Sequence, residues 1–222
     1  MIGGAYAEDK KPAGEPAKKD APAAEKKPAA DAKKDDKKPA DAKKDASAGH
    51  GDDPMMAMMM ELGTPGPEHK LLEGMAGNWD HTVKWHMDPS APWEESKGTT
   101  MREVIFGGRF VRQETKSPPM VPGGPPFEGR GVSGYDKARK QYVSAWIDNE
   151  GTSIMMSYGT ADATGKVITY TSDDPDWHNP GKLKKTKSVY RFKDDKTHVF
   201  EMYETGPDGK EFVMLEVTYT KK

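Results

Sequence analysis

The sequence predicts an all-β domain, a closed antiparallel up-and-down barrel of about ten strands preceded by short helices and a disordered N-terminal tail. Two observations carry the prediction. After Gly77 the apolar residues follow a period of two to the end of the chain, and each alternating run is closed by a turn signal such as Gly107-Gly108, Asp148-Asn149-Glu150-Gly151, Asp162-Ala163-Thr164-Gly165 or Pro207-Asp208-Gly209. No helical period separates the strands, which excludes a parallel α/β fold, and an open sheet of this many strands would leave long unpaired edges, so closure is expected.

The strands are expected at 79–87, 95–106, 109–116, 127–135, 140–148, 152–159, 166–173, 183–192, 197–204 and 210–220. The segment Asp53 to Gly63 has a capping aspartate, a proline at the first helical position and a glycine stop, and predicts a short Met-rich helix. Its five methionines, with His50 before them, are soft ligands that suit Cu(I); the simpler reading is a flexible cover for apolar surface on the barrel or a partner. In a second helix beginning at Pro67, Leu71, Leu72 and Met75 share a face that would plug one end of the sheet.

Upstream the composition changes abruptly. From Glu8 to Asp53 there is no Val, Ile, Leu, Phe, Trp or Tyr, and such a chain cannot bury enough apolar surface to offset the entropy of ordering. The domain division is therefore 1–7, 8–53 as a tail, 54–64 as the Met-rich helix, and 65–222 as the barrel. Residues 1–7 end in Ala5-Tyr6-Ala7 before Glu8, which reads as the remnant of a secretory cleavage site and predicts export to the periplasm or envelope. The formal net charge of −2, with acid and base balanced in the tail, gives no basic excess for nucleic acid. No run is long enough to insert in a bilayer. The chain has no cysteine, which removes disulfides, thiolate metal sites and thiol nucleophiles. Its oligomeric state is not legible.

The segments Pro65-Gly66-Pro67-Glu68-His69-Lys70, Gly77-Asn78-Trp79, Gly107-Gly108-Arg109-Phe110, Phe127-Glu128-Gly129, Gly134-Tyr135-Asp136, Trp146-Ile147-Asp148 with Gly151-Thr152, and Asp208-Gly209-Lys210-Glu211, taken together, resemble a bacterial family known only as a domain of unknown function, over residues 65–222. The resemblance implies a calycin-like barrel, related to lipocalins and fatty-acid-binding proteins, and no established activity. Gly77-Asn78-Trp79 also resembles the lipocalin signature, which implies a tryptophan on the barrel floor with a cation packed over it, here from Lys221 or Lys222 in place of the usual arginine.

Period-two alternation places Trp79, His81, Val83, Trp85 and Met87 on the inner face of the first strand, whereas in the fifth either Tyr142, Ser144, Trp146 and Asp148 or Val143, Ala145 and Ile147 could face in. A barrel of this size either fills with side chains or holds one small ligand. The candidate ligand-binding residues are Trp85, Arg102, Glu114, Trp146, Asp148 and Glu216, with Arg102 or Arg109 pairing Asp148 or an acidic ligand. The loops 117–126 and 172–182 offer Met120, Phe127 and Trp177 as an apolar portal.

No catalytic, nucleotide-binding or zinc motif is present, and no catalytic residue, metal site or cofactor is assigned. His178 beside Asp173, Asp174 and Asp176 reads as an acidic exposed loop before it reads as a cation site. The expected function is non-enzymatic binding of a small apolar or amphipathic molecule. The competing classes are a structural or stress-related envelope protein with a filled barrel, and a haem-binding or catalytic barrel in which His81 or His198 would ligate.

Overall fold

The structure, a computed structural model, describes residues 53–119, 123–176, 179–206 and 208–222. The tail, the proposed cleavage site and His50 lie outside the described residues, as do Met120, Trp177 and His178.

Two helices lead into ten strands: α1 (Pro54–Gly63), α2 (Pro67–Glu73), β1 (Gly77–Trp85), β2 (Glu94–Ile105), β3 (Phe110–Ser117), β4 (Phe127–Asp136), β5 (Gln141–Asp148), β6 (Met155–Ala161), β7 (Val167–Pro175), β8 (Leu183–Asp194), β9 (Thr197–Thr205) and β10 (Glu211–Lys221). Each strand pairs with its sequence neighbours, and β10 returns to β1 with Trp79 opposite Lys221, so the barrel closes without an edge.

Helix α1 starts as the sequence predicts, with the Asp53 carboxylate accepting from the Met55 amide at 2.9 Å. It buries none of its residues, so of the two surfaces expected for its methionines, the barrel or a partner, they do not cover the barrel. Lys137 donates to the Glu61 and Thr64 carbonyls at its end and holds the backbone rather than the apolar face. Helix α2 does form the plug: Leu72, and Met75 just past its end, are buried in the core, and the His69 ring accepts from the Gly66 amide at 3.0 Å while meeting Tyr135 edge-on.

Strand boundaries depart from the expected ones where side chains tie a loop. β6 begins at Met155 rather than at residue 152, because Asp148 accepts from the Glu150 amide and Asn149 bonds the Glu128 amide and the Pro126 carbonyl, fastening 149–150 to β4. β7 runs on to Pro175 because Asp173 and Asp174 pair in register with Lys185 and Lys184 of β8. β1 stops at Trp85, which leaves Met87 exposed and not inward as expected.

The alternation divides the barrel along its axis. Near α2 the interior is filled by Trp79, Val111, Tyr142, Ile168, Tyr190 and Tyr219. At the other end, reached by the loops after β1, β3, β5, β7 and β9, glycine and serine take several inward positions of β4 to β7 and the interior is open.

Candidate functional site

Trp79 is wholly buried on the floor, and its indole N–H donates to the Met75 carbonyl at 2.9 Å. The Lys221 Nζ lies 5.3 Å from the ring centroid, which is the cation the sequence asked for, while Lys222 pairs outward with Asp80. Arg102 supplies a second cation 5.7 Å from the same ring and 4.0 Å from that of Tyr219. It is 4% exposed and, among the described residues, has no carboxylate within ion-pair distance. The guanidinium is held by polar neutral groups instead, donating from Nε to Gln113 Oε1 and from Nη1 to the Tyr190 hydroxyl, both at 2.8 Å.

From there a chain of hydrogen bonds runs up the wall. Gln113 donates to Thr115, whose hydroxyl is 3.1 Å from that of Thr100; Thr100 is 2.9 Å from His81 Nδ1, and His81 Nε2 is 2.9 Å from the Ser117 hydroxyl. In the other direction the Tyr190 hydroxyl is 2.9 Å from His198 Nδ1. Burial, with Arg102 nearby, lowers both histidines to about 4, so each ring is neutral near pH 7. Burial also pushes the Tyr142 hydroxyl up to about 12 and raises Tyr170 and Tyr190 further.

Above this floor lies a cavity of about 370 Å³ that opens at the end away from α2. Its walls differ. Phe200 and Met202 of β9, Leu215 and Val217 of β10, and Val83 and Trp85 of β1 make an apolar side. Opposite them Ser133, Ser144, Ser157 and Ser172 are successive register partners across β4 to β7 and line the cavity as one hydroxyl ladder. The Ser133 and Ser144 hydroxyls are 3.1 Å apart.

Trp146 lies over β4, where a Cβ at Gly129 would come 2.2 Å from the indole and one at Gly131 2.9 Å. Both positions require glycine for the ring to lie flat. Its Nε1 donates to Asp148 Oδ2 at 2.9 Å. The open face of β5 is thereby decided: Trp146 and Asp148 line the cavity, and Ile147 is exposed outside.

The six candidate residues are thus dispersed. Trp85, Trp146 and Asp148 line the cavity. Arg102 is inside but beneath it. Glu114 and Glu216 take the outward phase, since Gln113, Thr115, Leu215 and Val217 line the cavity beside them; Glu114 lies 4.0 Å from Arg112, and Glu216 pairs in register with Lys84 and Glu201. The expected pairing of Arg102 or Arg109 with Asp148 does not form, because Asp148 is at the mouth, Arg102 at the floor, and Arg109 in the β2–β3 turn donating to the Phe106 carbonyl. His81 has both ring nitrogens engaged, and His198 is enclosed by Tyr190, Trp79 and the Asp194 backbone, so neither presents a nitrogen to the cavity as haem ligation would need. Among the described residues no group of three or more His, Asp or Glu side chains is placed to hold a metal, and no helix is long and apolar enough to cross a membrane.

A protein-family model described as "Protein of unknown function (DUF1579)" matches residues 64–221. The chain belongs to the DUF1579 family. No curated protein matches. This DUF1579 barrel is similar in structure to Rv2717c from M. tuberculosis, with a TM-score of 0.51 and 14% identity over 72% of this chain and 99% of that one. A redesigned β-barrel aligns at TM-score 0.34 and 14% identity over 70% of this chain and 95% of that one. The likeness to Rv2717c concerns the fold alone. Sequence reasoning missed the hydroxyl ladder, Gln113 and Tyr190 in this DUF1579 domain, and it read Asp174 as part of an acidic exposed loop where the structure buries it on β7; the serines sit at the right phase of their strands, but only the register puts them side by side.

Proposed function

We propose that the barrel binds one small apolar or amphipathic molecule in its open half, without catalysis. The observation that carries this reading is the cavity of about 370 Å³, within the size range of small-molecule sites, enclosed by one apolar wall and one wall of hydroxyls. An apolar skeleton would rest on Phe200, Met202, Leu215 and Val217, and polar substituents would exchange hydrogen bonds with Ser133, Ser144, Ser157 and Ser172. The filled floor supports a scaffold for such a site, since buried aromatics and a satisfied polar network hold the lining residues in place.

Titration with Nile red, a neutral apolar dye, tests this. The expected result is a saturable one-to-one rise in dye emission with quenching of tryptophan emission from Trp85 and Trp146, which line the cavity. Dye that does not bind, in protein with an intact cooperative unfolding transition, would favour the filled structural barrel.

A further inference from the structure

We propose that the polar end of the ligand is a protonated amine, held at the mouth of the cavity by the Asp174 carboxylate. This deepens the reading of the cavity as an amphiphile site and rests on it. The charged residues that line the cavity are Asp148, Glu150 and Asp174, and among the described residues no lysine or arginine lines it. The Arg102 cation, which could have received an acid, does not line the cavity and is spent on Gln113 and Tyr190 at its floor.

Asp174 stands apart from the other two carboxylates. It is 8% exposed; Oδ2 accepts from the Ser172 hydroxyl at 2.8 Å, and Oδ1 is buried with no hydrogen-bond donor among the described residues. A buried carboxylate oxygen without a donor carries a desolvation cost that a charged donor removes. The neighbouring lysines are committed elsewhere: Lys184, its register partner on β8, donates to Glu204, and Lys185 donates to Asp173 at 3.0 Å. The Asp148 carboxylate, by contrast, is occupied by the Trp146 indole and the Glu150 amide. It still adds negative charge to the mouth, and the indole beside it offers a face that favours cations. An ammonium entering over Ser172 toward Asp174 meets three carboxylates that attract it, whereas a carboxylate meets three like charges and, among the described residues lining the cavity, no lysine or arginine.

The experiment compares dodecylamine, dodecanol and dodecanoate at pH 7, below their micelle concentrations, by calorimetry and tryptophan quenching on the full chain. The expected order is amine, then alcohol, then carboxylate, with the amine at least about tenfold tighter than the carboxylate. Asp174→Asn should abolish the advantage of amine over alcohol and leave alcohol affinity unchanged; Asp173→Asn, an exposed neighbour bonded to Lys185, should change neither. Dodecanoate binding as tightly as dodecylamine to the unsubstituted protein overturns the proposal whether or not the variants fold. An amine preference that survives Asp174→Asn overturns the assignment to that residue. Binding of Nile red together with such a result leaves the cavity reading standing, while exclusion of all three amphiphiles and of the dye overturns both.

Discussion

The two halves of the barrel interior obey the same alternation and reach opposite outcomes. Toward α2 the inward positions hold Trp79, Arg102, Tyr142, Tyr190 and Tyr219, and they fill the bore. Toward the mouth β4 to β7 turn in Gly129, Ser133, Ser144, Ser157 and Ser172, which are too small to meet across it, and Trp146 lies against the β4 glycines instead of crossing the bore. The difference teaches that the strand pattern sets which face is inside, and side-chain volume sets whether the inside is solid. Stability should therefore reside in the floor and binding in the mouth.

Substitutions can break that division. Trp79→Ala, which removes the largest fully buried side chain of the floor and strands the Met75 carbonyl, should cost about 3–5 kcal/mol in denaturant unfolding. A loss below 1 kcal/mol would mean that the floor does not hold the barrel together.

Gly129→Ala drives a methyl into the Trp146 ring and should cost about 1–3 kcal/mol, because an indole seated against backbone cannot retreat without leaving Asp148. Dye affinity should fall with it. Unchanged Trp146 emission and unchanged affinity would show that the ring is not seated there.

Acid should loosen the floor before the mouth. His81 and His198 are lowered from 6.5 to about 4 by burial and by Arg102, so between those values the unfolded chain takes up protons that the native state does not. Stability contributed by the neutral rings is complete above about pH 6.5 and is lost as pH falls toward 4, so the thermal midpoint should be lower at pH 5 than at pH 7. Arg102→Met should raise both histidine pKa values in an NMR titration, the sign expected when a nearby cation is removed. Histidines that titrate near 6.5 in the unsubstituted protein would contradict the buried network.

The smallest stability effect is expected for Ser157→Ala in the ladder, within about 0.5 kcal/mol, because the change leaves packing nearly intact. Any loss should appear in affinity for a hydroxylated ligand instead. A large stability loss there would make the ladder a structural device and erase the contrast between the halves.

Much of the fold was legible because each strand announces itself locally. Ten alternating runs and their glycine and aspartate turns were enough to place every strand; the larger misplacements are the end of β1, which stops short of Met87, and segments 149–154 and 174–175, where contacts with a neighbouring strand decide. The floor was also partly legible: Trp79 and Lys221 meet as the lipocalin resemblance implied. Arg102, offered as a ligand-binding residue that would pair with Asp148, faces inward but bonds Gln113 and Tyr190 instead, since strand pattern does not tell depth along the bore. Glu114 and Glu216 were chosen for their charge alone, and the strand phase turns both outward.

By itself, then, the sequence determined the all-β class, the ten strands, the plug helix and the inward face of β1, because alternation and turn chemistry act over a few residues. Only the tertiary structure decided the face of β5, the hydroxyl ladder, the isolation of Asp174 and the open volume at the mouth. These depend on register and on what faces each side chain across the bore, and such contacts join residues far apart in the chain that no local pattern relates.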